Sequence, residues 1–225
     1  MLRRLIIKLR KQDWLAISIE LILLIVGITI AYQLNLRQER RSIQKDQVQL
    51  LGNIYLENEI NLDDFKESFS DRDTLDDTIF NFHQLLNKDS SRISNELLEH
   101  YLEIIFKTST AAFHHKYLSA YLEDKARYKD KKLTIELIKL EALIANLEDG
   151  STYILDYKMQ HFYQGLKDIV DFYDIRVKQR SHLFSLSFKN TIYLLQELEE
   201  GQNYRMEETF AQMNKVKEML EEINN

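Results

Sequence analysis

Not one proline occurs in the 225 residues of this chain. Average usage of about 5% would supply roughly eleven. Proline ends helices, and glycine supplies the backbone conformations that tight turns need. Glycine is nearly as scarce, with Gly27, Gly52, Gly150, Gly165 and Gly201 the full set of five. A chain so poor in turn formers lacks the means to make hairpins, and the expected fold class is all-α with long helices. Twelve tyrosines and eleven phenylalanines supply enough aromatic surface for a packed core. Cysteine is absent, which excludes disulfides, thiolate metal sites and cysteine nucleophiles.

Three segments follow from charge and hydropathy. Residues 1–13 are basic, with Arg3, Arg4, Lys8, Arg10 and Lys11 set around Leu2, Leu5, Ile6 and Leu9 at helical spacing. That pattern predicts a short amphipathic helix on an anionic membrane surface. Residues 14–36 form an apolar helix roughly 33 Å long, enough to cross a hydrocarbon core of about 30 Å. Trp14 and Tyr32 fall where interfacial aromatic belts lie. A soluble core helix and a cleavable signal peptide are the rival readings. The run LILLIVGITIA carries no charge on any side, and the apolar region is longer than a signal peptide's, so an uncleaved anchor is expected.

Residues 37–225 are acidic. Five of the 30 Lys/Arg precede residue 12, and of the 36 Asp/Glu only Asp13 and Glu20 precede residue 37. That leaves 25 basic against 34 acidic side chains. Such a domain suits a phosphate backbone poorly, so no nucleic-acid partner is expected. Basic residues flank the span on both sides, with Arg37, Arg40, Arg41 and Lys45 following it. Exporting the short tail would drag five cations across, so the N-terminus is expected in the cytoplasm and the C-terminal domain in the periplasm.

Glu20 stands inside the span. Helical geometry turns about 100° per residue and brings Ala16, Gly27 and Ala31 to within roughly 40° of Glu20. Gly27 and Ala31 form a small-xxx-small pair that lets two helices approach closely. A carboxyl in a span faces protein or water, not lipid. The plain reading is a protonated or hydrogen-bonded acid at a helix–helix contact. The sharper one is a proton- or ion-carrying carboxylate.

The run GITIAYQLNLRQERR, Gly27 to Arg41, preceded by Glu20, resembles the N-terminal signature of an uncharacterised family of small single-pass membrane proteins from Bacteroidetes-type bacteria. Gly27, Ile28, Ile30, Ala31, Gln33, Asn35 and Glu39 match it, while Arg37 stands where that family has tryptophan. The resemblance covers about the first fifth of the chain. It implies a bacterial inner-membrane anchor and no particular activity.

Beyond the span the charged helix continues. Val48, Leu51, Tyr55, Leu62, Phe65 and Phe69 keep a helical stripe broken at Asn58, predicting a long membrane-proximal stalk. The acids Asp71 to Asp77 read as a helix start and a solvated face in preference to a calcium loop. A break at NKDSSRIS gives Ser91 or Ser94 as N-cap of a helix through Phe106. A short helix over 113–126 follows. Leu133–Leu147 reads as a buried helix stopped by Gly150, and Ser151 as the cap of an aromatic helix reaching Phe172. Gly201 is expected to hinge or cap the last two helices. LFSLSF alternates at period two but is too short for a strand. Together these segments predict one N-terminal transmembrane helix followed by an elongated helical-bundle domain.

Catalytic signatures are missing from the sequence: no phosphate loop, G-x-S-x-G, H-E-x-x-H or Glu-x-x-His. His114 and His115 are adjacent and point apart on a helix, and Glu96 with His100 reads as a surface pair. No catalytic residue, cofactor or metal is assigned. The expected role is structural: an anchored helical module that binds the lipid bilayer and oligomerises with itself or docks onto an envelope complex through its membrane-helix face. Two other readings stand beside it. One is an accessory subunit of an ion- or electron-driven membrane complex with Glu20 as the coupling carboxylate. The other is a sensor whose outer domain takes a ligand near the aromatic segment 151–173.

Overall fold

The computed structural model describes residues 14–107, 113–124, 128 and 130–224. The predicted surface helix over 1–13, with its five basic residues, lies outside them, as does part of the expected short helix over 113–126. The chain forms two compact units, Met1–Gln49 and Leu50–Asn225, and its described residues are all-α apart from one small hairpin.

Helix α1, Trp14–Leu86, runs 73 residues without interruption. In the first unit its described side chains from Ser18 to Asn35 are all exposed. Among the described residues it is the one helix long and apolar enough to cross a membrane, and none of that stretch is buried. The Thr29 hydroxyl donates to the Ile25 carbonyl one turn back at 2.7 Å, a common local bond of a helical threonine.

The second unit contains residues 50–86 of α1, then α2 (Asn95–Phe106), α3 (Lys116–Glu123), α4 (Lys131–Tyr157) and α5 (Leu186–Asn224). A π-helical turn, Lys158–Tyr163, and a last turn, Gln164–Leu166, extend α4. Ser94 caps α2 by accepting from the Leu97 N–H at 3.2 Å, and Asp130 caps α4 by accepting from Leu133 at 2.9 Å. Cross-helix bonds set the directions. Tyr55 reaches Glu221, Glu59 reaches Lys217, and Arg72 reaches Glu199, so α5 runs antiparallel to α1. Glu136 meets Gln212 and Tyr157 meets the Thr191 carbonyl, so α5 runs antiparallel to α4 as well.

Two separate apolar cores result. One joins Leu51, Ile54, Leu62 and Phe65 of α1 to α3, to Leu133–Leu147 of α4 and to Met206–Leu220 of α5. The other joins Leu75–Leu86 to α2, to Phe162 and Leu166, and to Phe188–Leu195. Leu133, Leu137, Leu140, Ile144 and Leu147 are buried, but Ile135 and Ile138 are exposed, so α4 buries one stripe where the sequence suggested an all-round apolar helix.

Several local expectations are corrected. Gly150 does not stop α4, which continues to Tyr157, and Ser151 is interior to it and caps nothing. Gly201 is neither hinge nor cap, since α5 passes through it unbroken. The acids of 71–77 lie in the middle of α1, not at a helix start. The aromatic segment ends at Leu166, before an antiparallel hairpin pairing Val170 with Val177 and Asp171 with Arg176. LFSLSF straddles the end of a single turn, Arg180–Leu183, and the start of α5.

Candidate functional sites: an uncovered helix face and a buried polar belt

Ala16, Glu20, Gly27 and Ala31 all lie on the uninterrupted α1, so helical spacing places them along one side. Glu20, Gly27 and Ala31 are exposed, and the side chain of Ala16 lies outside the described set. A Cβ built on Gly27 meets nothing within 4 Å, so no described residue of this chain covers it. The apolar surface around that face is likewise open, with Leu23 64% and Ile28 62% exposed.

In the second unit, α1 and α5 bury charge as well as apolar side chains. Glu199, 2% exposed, accepts Arg72 Nη2 at 2.5 Å and lies 3.0 Å from Lys158 Nζ. Lys158 is itself 1% exposed, at the first position of the π-helical turn. Arg72 Nε donates to Asn203 Oδ1 at 2.8 Å, and Asn203 Nδ2 donates to Asp76 Oδ2. Residues 72 and 76 are one turn apart on α1, and 199 and 203 are one turn apart on α5, so each helix offers two adjacent polar positions to the other. Asp76 Oδ1 is buried without a hydrogen-bond partner. Burial, seconded by Glu199, Glu200 and Asp73 and opposed by Arg72, pushes the Asp76 carboxyl up to about 6. Next along α5, Gln202 donates to the Leu147 carbonyl and to Ser151 Oγ, both at 2.8 Å. Two cations and two carboxylates thus meet in a confined polar belt.

A second polar clamp involves Glu57 and Asn61 of α1. Glu57 accepts the Tyr117 N–H at 2.9 Å and the Leu118 N–H at 3.2 Å, satisfying free donors at the start of α3. Asn61 exchanges two bonds with the backbone of His114, at 2.7 and 2.8 Å. Asn58, which breaks the apolar stripe in the sequence, is 2% exposed and donates to the Met213 carbonyl at 2.8 Å. Sequence reading missed these residues, and the signal available was that interruption. Glu96 is held by its own backbone N–H and then by Ser94, which draws its carboxyl below the usual range. Among the described residues no group of three or more His, Asp or Glu is placed to hold a metal.

Between α4 and α5 lies an open cleft of about 680 Å³, with Leu143, Leu198, Tyr153, Tyr204 and Arg205 on its walls. Gly150 and Gly201 face it from the two helices. No family model matches the chain, and comparisons with curated proteins and with solved structures also find no match.

Proposed function

We propose that this protein is a membrane-anchored helical interaction module, working by assembly and not by catalysis. One observation carries the reading: an unbroken helix whose described side chains are exposed from Ser18 to Asn35. Lipid and a neighbouring helix are the partners such a surface suits. The Ala16, Glu20, Gly27 and Ala31 side supplies the helix–helix contact, in a homo-oligomer or with another membrane subunit, and the rest faces the bilayer. Anchoring is single-pass in a bacterial inner membrane, with the N-terminus cytoplasmic and the acidic domain periplasmic. The charge distribution and the resemblance of Gly27–Arg41 to an anchor signature support that placement. In mild detergent, Gly27→Ile and Glu20→Leu each shift the protein to a smaller assembly by calibrated light scattering. Unchanged mass in both variants defeats the proposal.

The cleft between α4 and α5 favours a second reading, an outer domain that takes a small ligand. Its volume falls in the range of ligand pockets, and a lining that includes Arg205, Tyr153 and Tyr204 suits an aromatic carboxylate. Methyl spectra of the protein in nanodiscs, titrated with phenylacetate, should show saturable shifts at Leu143 and Leu198. Absence of shifts there removes this reading.

A further inference from the structure

We propose that Asp76 is a proton-binding site whose occupancy sets how firmly α5 is clasped to α1. The geometry of the belt leaves a buried oxygen of this carboxyl without a donor. Arg72 commits Nε to Asn203 and Nη2 to Glu199, while Lys158 commits its ammonium to Glu199. Both cations are therefore directed to the same carboxylate. Asp76 receives only the neutral amide of Asn203, on Oδ2, and its Oδ1 is buried with no donor. A buried carboxylate oxygen without a donor is costly when charged. A proton taken from solution removes that charge and needs no other ligand.

The groups facing Asp76 strengthen this reading. On its own helix they are Arg72, which favours the anion, and Asp73, which opposes it. On α5 they are Glu199 and Glu200, both opposing it. Lys158, on the π-helical turn after α4, is bound up with Glu199. Charge balance within Arg72, Lys158, Glu199 and Asp76 then moves by one unit on protonation. With Asp76 neutral, Arg72 belongs to Glu199 alone, and the pair joining α1 to α5 is at its tightest. With Asp76 ionised, the guanidinium is drawn back along its own helix towards residue 76, and the clasp between the helices loosens. Asn203 transmits the change, since its amide joins Asp76 to Arg72.

The direction follows from linkage. A carboxyl raised in the folded state binds more protons there than in the unfolded chain. Its stabilising contribution is complete below the ordinary Asp value and is lost as pH rises through about 6. This proposal concerns the second unit alone and does not depend on the membrane-helix contact.

The test is a carboxyl ¹³C titration of the full chain in nanodiscs, with labelled aspartate, together with amide hydrogen exchange corrected for intrinsic rates. One aspartate carbon should titrate near pH 6 and be missing from Asp76→Asn. In Asn203→Ala, which removes the donor to Oδ2, its midpoint should move higher. Corrected protection around Lys158 and Glu199 should fall as pH rises through that midpoint in the wild type and stay level in Asp76→Asn. An Asp76 carbon titrating in the ordinary range near 4 overturns the proposal. So does protection that ignores the titration. A merely structural belt would tolerate neither pattern of pH dependence, and the wild-type titration with Asn203→Ala decides the matter if Asp76→Asn does not fold.

Discussion

Replacing Glu199 by glutamine keeps the shape of the side chain and deletes the one anion that both buried cations share. Lys158 and Arg72, at 1% and 7% exposure, then stand in the interior without it. Breaking a buried pair from one side costs about 3–5 kcal/mol, because the remaining charge is stranded. Arg72 retains Asn203 and the Asp76 side of the belt, so the lower end, about 3 kcal/mol, is expected. With a urea m-value of roughly 2 kcal/mol/M, the unfolding midpoint falls by about 1.5 M. Lys158→Met acts differently. It leaves Arg72 and Glu199 as a one-to-one pair and puts an apolar chain in a dry position, so its cost is about 1 kcal/mol or less. The double variant, Glu199→Gln with Lys158→Met, is therefore more stable than Glu199→Gln alone. Urea denaturation of the full chain in mild detergent, followed by far-UV circular dichroism, measures all three. Equal losses from Glu199→Gln and Lys158→Met, or a double variant no better than the worse single, refute the shared-anion account.

Gly150→Ala destabilises by about 1–3 kcal/mol, since its Cβ would strike Gln202 Oε1 while that side chain is pinned by Leu147 and Ser151. Gly201→Ala, whose Cβ meets only Arg205 Nη1 at 3.9 Å, raises stability by up to about 1 kcal/mol; thermal melts compare the two. Glu57→Ala frees the first amides of α3 and lowers local protection there by about 1–3 kcal/mol, read by hydrogen exchange at Tyr117 and Leu118. Hydrogen bonds from Lys215 and Gln212 hold the Glu136 carboxyl down at about 2. Its contribution is full above the ordinary Glu range and lost as pH falls towards 2, so Glu136→Gln should flatten the acid side of a stability–pH profile.

The absence of proline made the helical class legible, because nothing else in the chain ends a helix so reliably. The Ser94 cap was legible for the same kind of reason: a local hydroxyl meets a local N–H. Gly150 and Gly201 misled because a glycine near a helix-length boundary looks like a stop. At Gly150 the missing Cβ instead admits Gln202 from a helix some fifty residues away. The acids of 71–77 were assigned to solvent as a group, yet their spacing hides one member, Asp76, turned towards α5 with Arg72 a turn before it. Lys158 had no sequence signal, since its partner Glu199 is distant and its inward aim comes with the π-helical turn. Periodicity reports which side of a helix is apolar. It does not report which polar residues on that side will find partners.

Those partners also fix something that apolar stripes leave open. Two long helices joined by leucines and isoleucines can slide past each other by one turn, about 5.4 Å, and regain similar burial. Along α1 and α5, however, Glu59–Lys217, Asn58 with the Met213 carbonyl, Arg72–Glu199 and His83–Gln196 are satisfied together in a single register. A slip of one turn would break all of them at once and strand buried charge. A piston stroke of α5 along α1 is therefore closed to this domain. Whatever strain reaches the bundle must be relieved by rotation or by parting of the helices, and the polar belt is where such a parting meets its greatest resistance.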